Sequence, residues 1–230
     1  MKTIVISDLH GTLIPIEEEF DLLIMCGDGE PVWNHKRQFH FEWLKTTFSE
    51  WVNNLPYRNE ESKVIMIAGN HSFCLEGITK TKKEEWLSNI KDNRLVYLDN
   101  EAYSFKNGGK TYKIFGCPYC EPLYGWPFTR TNLKKYYDFI PYNLDILITH
   151  DAPDLIDAGV ATEGRVAGRN FGNKVLAEYV LERKPKYLFF GHIHSSGIKE
   201  ITEYKGIKMA NASILNEEYD VAYSPIIIEI

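Results

Sequence analysis

An α/β fold is predicted for this 230-residue chain, and two observations predict it. Five short apolar runs, at 3–6, 22–26, 64–68, 144–148 and 187–190, each stop at glycine or polar residues, as strands buried on both faces do. Amphipathic segments lie between them, most clearly at 35–55, where Phe41, Leu44, Phe48, Trp51, Val52 and Leu55 keep helical spacing until Pro56. Strands interleaved with helices define the α/β class.

The elements follow in order. Strand 3–6 runs into Ser7-Asp8-Leu9-His10, and strand 22–26 into Gly27-Asp28. After the helix at 35–55, strand 64–68 runs into Gly69-Asn70-His71. A second helix is expected over 82–90. Between 95 and 115 two or three strands meander, with a turn at Asn107-Gly108-Gly109. Segment 118–127 is a loop rich in proline, glycine and aromatics. Strand 144–148 runs into Thr149-His150-Asp151 and then a loop to 172 that carries Gly159, Gly164, Gly168 and Gly172. A third helix, 173–184, is capped by Asn173 and stopped by Pro185. Strand 187–190 runs into Gly191-His192-Ile193-His194. A hairpin follows, 198–204 and 207–211 around Lys205-Gly206, and a last strand spans 225–230. Without a repeat, a low-complexity tract or a linker, 1–230 is expected to form one domain.

Hydrophobic residues make up 44% and charged residues 25%, which excludes a disordered chain, a collagen-like repeat and a disulfide-dense mini-protein. A chain of this length buries roughly 70% of its unfolded surface, enough for a core without staples. The net charge of -6, from 32 acids and 26 bases, argues against a duplex nucleic-acid binder working through a basic face. No apolar run approaches the ~20 residues of a membrane span. Lys2 leads straight into Thr3-Ile4-Val5-Ile6 without the pattern of a signal peptide. Cys26, Cys74, Cys117 and Cys120 do not make a disulfide framework, so a cytoplasmic protein with reduced thiols is expected.

Each strand ending taken alone reads as a turn or a satisfied histidine. Taken together, the endings assemble a donor set. Asp8, His10, Asp28, Asn70, His150, His192 and His194 offer imidazole, carboxylate and one amide oxygen, the donors of first-row divalent metals. In open α/β sheets ligands bind beyond the carboxyl ends of strands, so the five endings can converge. In Gly-His-Ile-His, alternate strand residues point the same way, so His192 and His194 can reach one ion. Seven side chains, one of them shared, suit two ions about 3.5–4 Å apart, and Asp28 or Asp8 can bridge them.

In this order, Asp8-x-His10, Gly27-Asp28, Gly69-Asn70-His71, His150 and Gly191-His192-x-His194 resemble the calcineurin-like metallophosphoesterases. The resemblance spans Asp8 to His194 and implies two mixed β-sheets packed as a sandwich flanked by helices. It implies one ion on Asp8, His10, Asp28 and His194, and another on Asp28, Asn70, His150 and His192, with Asp28 bridging. Manganese is the first expectation, and iron, zinc and nickel accept the same donors. His71 matches the family histidine that contacts phosphate and can protonate the leaving group. The implied activity is hydrolysis of a small phosphoester, a phosphodiester or nucleotide before a phosphomonoester, by a hydroxide bridging the metals. A scaffold that binds metal without catalysis is the alternative outside enzymology.

Two departures narrow the class. Asp28 is followed by Gly29-Glu30-Pro31-Val32 rather than by the aspartate and arginine of the protein phosphatases, which disfavours that subgroup. Ser72 stands where the family often has an acid that orients the histidine, leaving Glu76 or Asp151 as candidates for that role. Gly116-Cys117-Pro118-Tyr119 and Asn211-Ala212-Ser213 look like a subgroup of small members. Arg165 and Arg169 are candidates for a phosphate or ribose contact, because guanidinium matches phosphate bidentately. Tyr119, Tyr124, Trp126 and Phe128 either wall the site for a base or simply pack their loop. Cys117-x-x-Cys120 has the spacing of a redox motif, but Pro122, Gly125 and Pro127 spoil the helix N-terminus such a thiol needs.

Overall fold

Along β1 (Lys2–Ile6) the side chains alternate between two apolar layers: Ile4 and Ile6 face one, and Val5 the other. The same division runs through the whole computed structural model, which describes residues 1–230. One sheet has five strands in the order β11 (Ile226–Glu229), β1, β2 (Leu22–Met25), β3 (Lys63–Ile67), β4 (Leu95–Leu98). All its pairs are parallel except β11 with β1. The other has six, in the order β5 (Glu101–Asn107), β6 (Lys110–Cys117), β7 (Ile146–Thr149), β8 (Tyr187–Phe190), β10 (Ile207–Asn211), β9 (Thr202–Tyr204). Its two outer pairs are antiparallel and the inner ones parallel.

The sheets face each other across a core that includes Val5, Ile24, Ile65, Ile67, Ile114, Ile148 and Phe189. Outside the first sheet, α1 (Arg37–Trp43), a π-helical turn (Leu44–Phe48), α2 (Ser49–Asn53) and α3 (Lys80–Leu87) bury Phe41, Leu44, Phe48, Val52 and Trp86. Outside the second, α4 (Lys134–Tyr137) and α5 (Lys174–Arg183) bury Tyr137, Leu176 and Val180. The result is the expected sandwich of two mixed sheets flanked by helices. Parallel strands need covered faces, and the helices supply that cover.

Several boundaries differ from the sequence reading, each for a local reason. The helix expected at 35–55 contains a widened turn, where the Ser49 hydroxyl donates to the Leu44 carbonyl at 2.7 Å. The second helix starts at Lys80 because Thr79 caps it, accepting from the Lys82 N–H. Strand β9 is shorter than 198–204, because the Lys199 ammonium turns to the Asn211 side chain and the Ser213 carbonyl. The single turn α4 carries no sequence signature. It seats Tyr137, whose hydroxyl donates to the Tyr119 carbonyl and accepts from Asn173.

Candidate metal centre

Strands β1, β2, β3, β7 and β8 all release their chain into one cleft. Beyond its last paired residue β1 still follows β2: the Asp8 N–H donates to the Gly27 carbonyl at 3.1 Å and the His10 N–H to the Asp28 carbonyl at 2.9 Å. Asp8, His10, Asp28 and His192 have φ of 53°, 46°, 50° and 70°, the left-handed region that non-glycine residues avoid. The turns are held by their own side chains. The Asp8 carboxylate accepts from the His192 N–H at 3.0 Å and from the Ser213 hydroxyl at 2.7 Å. The Asp28 carboxylate accepts from the His71 N–H at 2.8 Å.

Two histidines are oriented alike. His150 lies with Nδ1 2.9 Å from the Cys26 carbonyl, and His194 with Nδ1 2.9 Å from the Asn216 carbonyl. An Nδ1–H donated to a carbonyl leaves Nε2 as a lone pair, the arrangement of metal-binding imidazole. Nε2 of His150 lies 2.9 Å from Asn70 Oδ1 and 3.1 Å from Asp28 Oδ2. Nε2 of His194 lies 3.1 Å from Nε2 of His10 and 3.6 Å from Asp8 Oδ1. The rings of His150 and His192 meet edge to face with centroids 5.1 Å apart. All seven residues singled out from the sequence thus meet at one place.

Donor atoms from Asp8, His10 and His194 lie within 4.8 Å of one another, as do those from Asp8, Asp28 and His150, and those from His10, Asp28 and His71. Asp8 and Asp28 each belong to two of these groups, so either carboxylate is placed to be shared. The chemistry of the set fits divalent cations: two buried carboxylates face ring nitrogens with lone pairs, and facing lone pairs repel unless a cation or proton lies between them. Burial pushes the His10 imidazole down to about 3 and His192 to about 4, keeping both neutral and able to ligate. Burial alone would raise the Asp8 and Asp28 carboxyls and lower His150. The nearby His194 and the charges of the neighbouring histidines instead hold Asp8 well below its ordinary range, and the charge of His150 leads the effects that do the same for Asp28. The Asp28 charge in turn raises His150 to about 9.

Glycines set how closely the turns pack. A Cβ on Gly69 would overlap the Asp28 carboxylate and the His150 ring, and one on Gly191 would overlap Ser7 Oγ and the Asp8 carboxylate.

His71 lies edge-on to His10 with centroids 4.7 Å apart and packs on Trp126 at 4.4 Å. Its Nδ1 is buried with no hydrogen-bond partner, and burial lowers its pKa. Neither acid expected to orient it does so. Glu76 pairs with Arg130 at 2.9 Å and accepts from the Phe128 N–H, while Asp151 accepts from Asn173 and from the Glu121 N–H. Ser72 accepts from the Gly69 N–H and donates to the buried Glu30 carboxylate at 2.8 Å, bracing the turn rather than the ring.

Arg165 and Arg169 are exposed on the glycine-rich loop; neighbouring Gly164 abuts Glu217. Of the four loop aromatics only Trp126 packs against a residue of the centre. Tyr124 is fully exposed, Phe128 is buried in the core, and Tyr119 packs against Tyr136. Cys117 and Cys120 are free thiols buried completely, and burial pushes Cys117 up to about 12, which is opposite to a redox-active thiol.

The cleft is lined by Asp28, Asn70, His71, His192 and His194 together with Glu217 and Tyr219, two residues the sequence reading missed. Glu217 accepts from the Ser195 N–H and hydroxyl, and Tyr219 stands edge-on to His10 and His194. Their stretch, Asn216-Glu217-Glu218-Tyr219, reads as an ordinary polar turn. His35 and Phe73, stacked at 4.7 Å beside Trp126, were also missed.

Two mixed sheets that bring this donor set to one cleft define a metal-dependent phosphoesterase. The chain belongs to the calcineurin-like phosphoesterase family, whose profile matches residues 1–196, and it is a metal-dependent phosphoester hydrolase. It is 27% identical over 259 aligned positions to human metallophosphoesterase domain-containing protein 1, covering 100% of this chain and 71% of that protein. A Caenorhabditis elegans relative, UPF0046 protein C25E10.12, is 27% identical over 249 positions, with 100% and 81% covered. Among solved structures, phosphopantetheinyl hydrolase from Mycobacterium tuberculosis shares the fold with a TM-score of 0.55 at 15% identity, covering 95% of this chain and 90% of that one. No helix is long and apolar enough to cross a membrane.

Proposed function

We propose that this chain is a dinuclear phosphodiesterase acting on a small diester, a nucleotide in particular, in the cytoplasm, with 1–230 folded as one domain. One observation carries the diester preference. The cleft lining includes the Glu217 carboxylate and neither lysine nor arginine. A monoester brings two negative charges and a diester one, so a carboxylate in the lining, with Arg165 and Arg169 outside it on the neighbouring loop, opposes the monoester more strongly. The ligand sets are Asp8, His10, Asp28 and His194 for one ion and Asp28, Asn70, His150 and His192 for the other, both manganese. When bound, two divalent ions supply an activated water and neutralise phosphate charge.

The rest is done by the chain itself. Asp28 and Asp8 fix the spacing of the two ligand sets. His71 stands where it can hold a phosphate oxygen or give a proton to the leaving one. Trp126, with His35 and Phe73 behind it, offers a flat face for a base. Arg165 and Arg169 lie on the loop bordering Glu217, from which a guanidinium can take a second phosphate or ribose contact.

The test is a panel assay of metal-stripped and manganese-reconstituted protein on bis(p-nitrophenyl) phosphate, p-nitrophenyl phosphate and 2′,3′- and 3′,5′-cyclic nucleotides. Diesters should be turned over with the higher kcat/KM, and only after metal is restored. Higher kcat/KM on the monoester would replace this reading with a phosphatase. Metal binding without turnover of any substrate would leave the scaffold reading. Full activity in excess chelator, with metal shown to be absent, would refute the metal-dependent mechanism.

A further inference from the structure

Outside the strand-end cleft, Glu30, His40 and Cys74 place a carboxylate oxygen, an imidazole nitrogen and a thiol sulfur within 4.8 Å of one another. All three residues are buried. They arrive from separate segments: Glu30 from the turn after Asp28, His40 from α1, and Cys74 from the turn after β3. Glu30 accepts from the Ser72 hydroxyl through Oε2, while its Oε1 lies 3.9 Å from the Cys74 sulfur. On His40, Nε2 sits 3.0 Å from the Pro31 carbonyl and Nδ1 is buried with no partner, so the ring keeps one uncommitted nitrogen.

We propose that Glu30, His40 and Cys74 form a second metal site, separate from the strand-end centre, for a borderline-soft divalent ion of the zinc class.

Donor chemistry selects the ion. A thiolate with imidazole and one carboxylate suits zinc, whereas manganese and magnesium prefer oxygen. Geometry agrees. With Zn–S about 2.3 Å and Zn–O about 2.0–2.2 Å, a tetrahedral site separates sulfur and oxygen by roughly 3.5–3.7 Å, close to the 3.9 Å observed. Charge balance agrees as well: one thiolate and one carboxylate neutralise a dication, which burial requires. The thiol proton, and the proton that burial keeps on the Glu30 carboxyl, leave to solvent as the metal bonds form. A groove lined in part by Arg37, Phe41 and Lys82 reaches Cys74, giving an entry path. Burial and the neighbouring Glu30 push the Cys74 thiol well up, and Arg37 and Lys82 offset only part of that rise. A bound ion would tie α1 to the turns that follow Asp28 and Asn70, bracing the strand-end centre from behind.

The test is cobalt titration of the full chain. Only oxygen and nitrogen donors serve the strand-end centre, so a near-ultraviolet thiolate-to-cobalt charge-transfer band reports the second site alone. The band should appear in the wild type, vanish in Cys74→Ser and persist in Asp28→Asn. Glu30→Gln, which keeps the volume, should retain a band with cobalt affinity lowered on the order of 10-fold or more. Absence of the band at saturating cobalt in folded protein would overturn the proposal. So would a band undiminished in Cys74→Ser, or an unchanged affinity in Glu30→Gln. None of these readouts depends on phosphoester turnover, so this site and the proposed phosphodiesterase can fail separately.

Discussion

Asn211, at the end of β10, touches no candidate ligand, yet its removal should weaken metal binding. Its amide donates to the carbonyls of Gly191 and Ile193 at 3.1 and 2.9 Å, the two residues that flank His192. Its oxygen accepts from the Ser213 N–H and the Lys199 ammonium, both at 2.9 Å. Ser213 in turn donates to Asp8. Asn211→Ala deletes four hydrogen bonds; the Gly191 and Ile193 carbonyls keep the N–H groups of Ile193 and Ser196, but the Ser213 N–H is left without a partner in the interior. Each neutral bond contributes about 1 kcal/mol net and an unsatisfied buried group costs about 1–3 kcal/mol, so a loss of roughly 3–5 kcal/mol is expected. The His192–His194 turn and Asp8 lose a common support, and outer-shell losses of this kind lower metal affinity about 10–100-fold. Urea unfolding of the metal-free protein measures the first effect, and competition with a chromophoric chelator measures the second. Asn211→Asp sharpens the case: it keeps the volume but sets an oxygen against two carbonyls, so it should not rescue affinity. A folded Asn211→Ala protein with wild-type metal affinity would show that Asn211 supports only the core.

Three further outcomes are expected. Asp28→Asn should lower occupancy of both ions by metal analysis, whereas His194→Ala should mainly empty one; near-normal occupancy and turnover in Asp28→Asn would contradict the bridging assignment. If His71 protonates the leaving oxygen, His71→Ala should depress alkyl esters about 10²–10⁴-fold and p-nitrophenyl esters far less; with no acid on its ring, equal losses are expected, and a steeper dependence of kcat/KM on leaving-group pKa would refute this. Burial lowers the Lys199 ammonium to about 7, so between that value and its ordinary 10.5 the unfolded chain binds more protons. Stability from this group therefore rises with pH across that window, and Lys199→Met should flatten the rise in urea midpoints; parallel curves for the two proteins would remove the assignment.

The candidate ligands of the strand-end centre were legible because each follows a buried strand closely, and a local rule about strand ends covers them all. Asn173 could be read as a cap and Pro185 as a stop for the same reason. Most of what escaped depends on contacts remote in sequence. Tyr219 reaches His10 only because the chain after β10 returns across the cleft. Glu30 braces Ser72 from 42 residues away, so the missing acid after His71 drew attention to Glu76 and Asp151, which the fold commits to Arg130 and Asn173. The wide turn at Leu44–Phe48 escaped because it leaves Phe41, Leu44, Phe48 and Val52 all buried on the same side of the first sheet.

The rule that placed His192 and His194 on one ion reached the right neighbourhood by a different route from the one the chain takes. Alternation along a strand would aim both imidazoles one way, but β8 ends at Phe190 and neither histidine is in a strand. His192 instead adopts φ of 70°, and its ring meets His150, while His194 turns toward His10. Asp8, His10 and Asp28 also leave the pleat through left-handed residues. Such conformations cost roughly 1–3 kcal/mol each, and an isolated segment would relax out of them. Here they persist because the Asp8 and Asp28 carboxylates accept backbone N–H groups of the opposing turns. Glycines at 69 and 191 let those turns approach to contact. The two aspartates therefore have a double duty. As carboxylates they are placed to be shared between ligand groups, and as acceptors they hold the strained backbone that aims the histidines, so the donor set is fixed by the fold before any ion arrives.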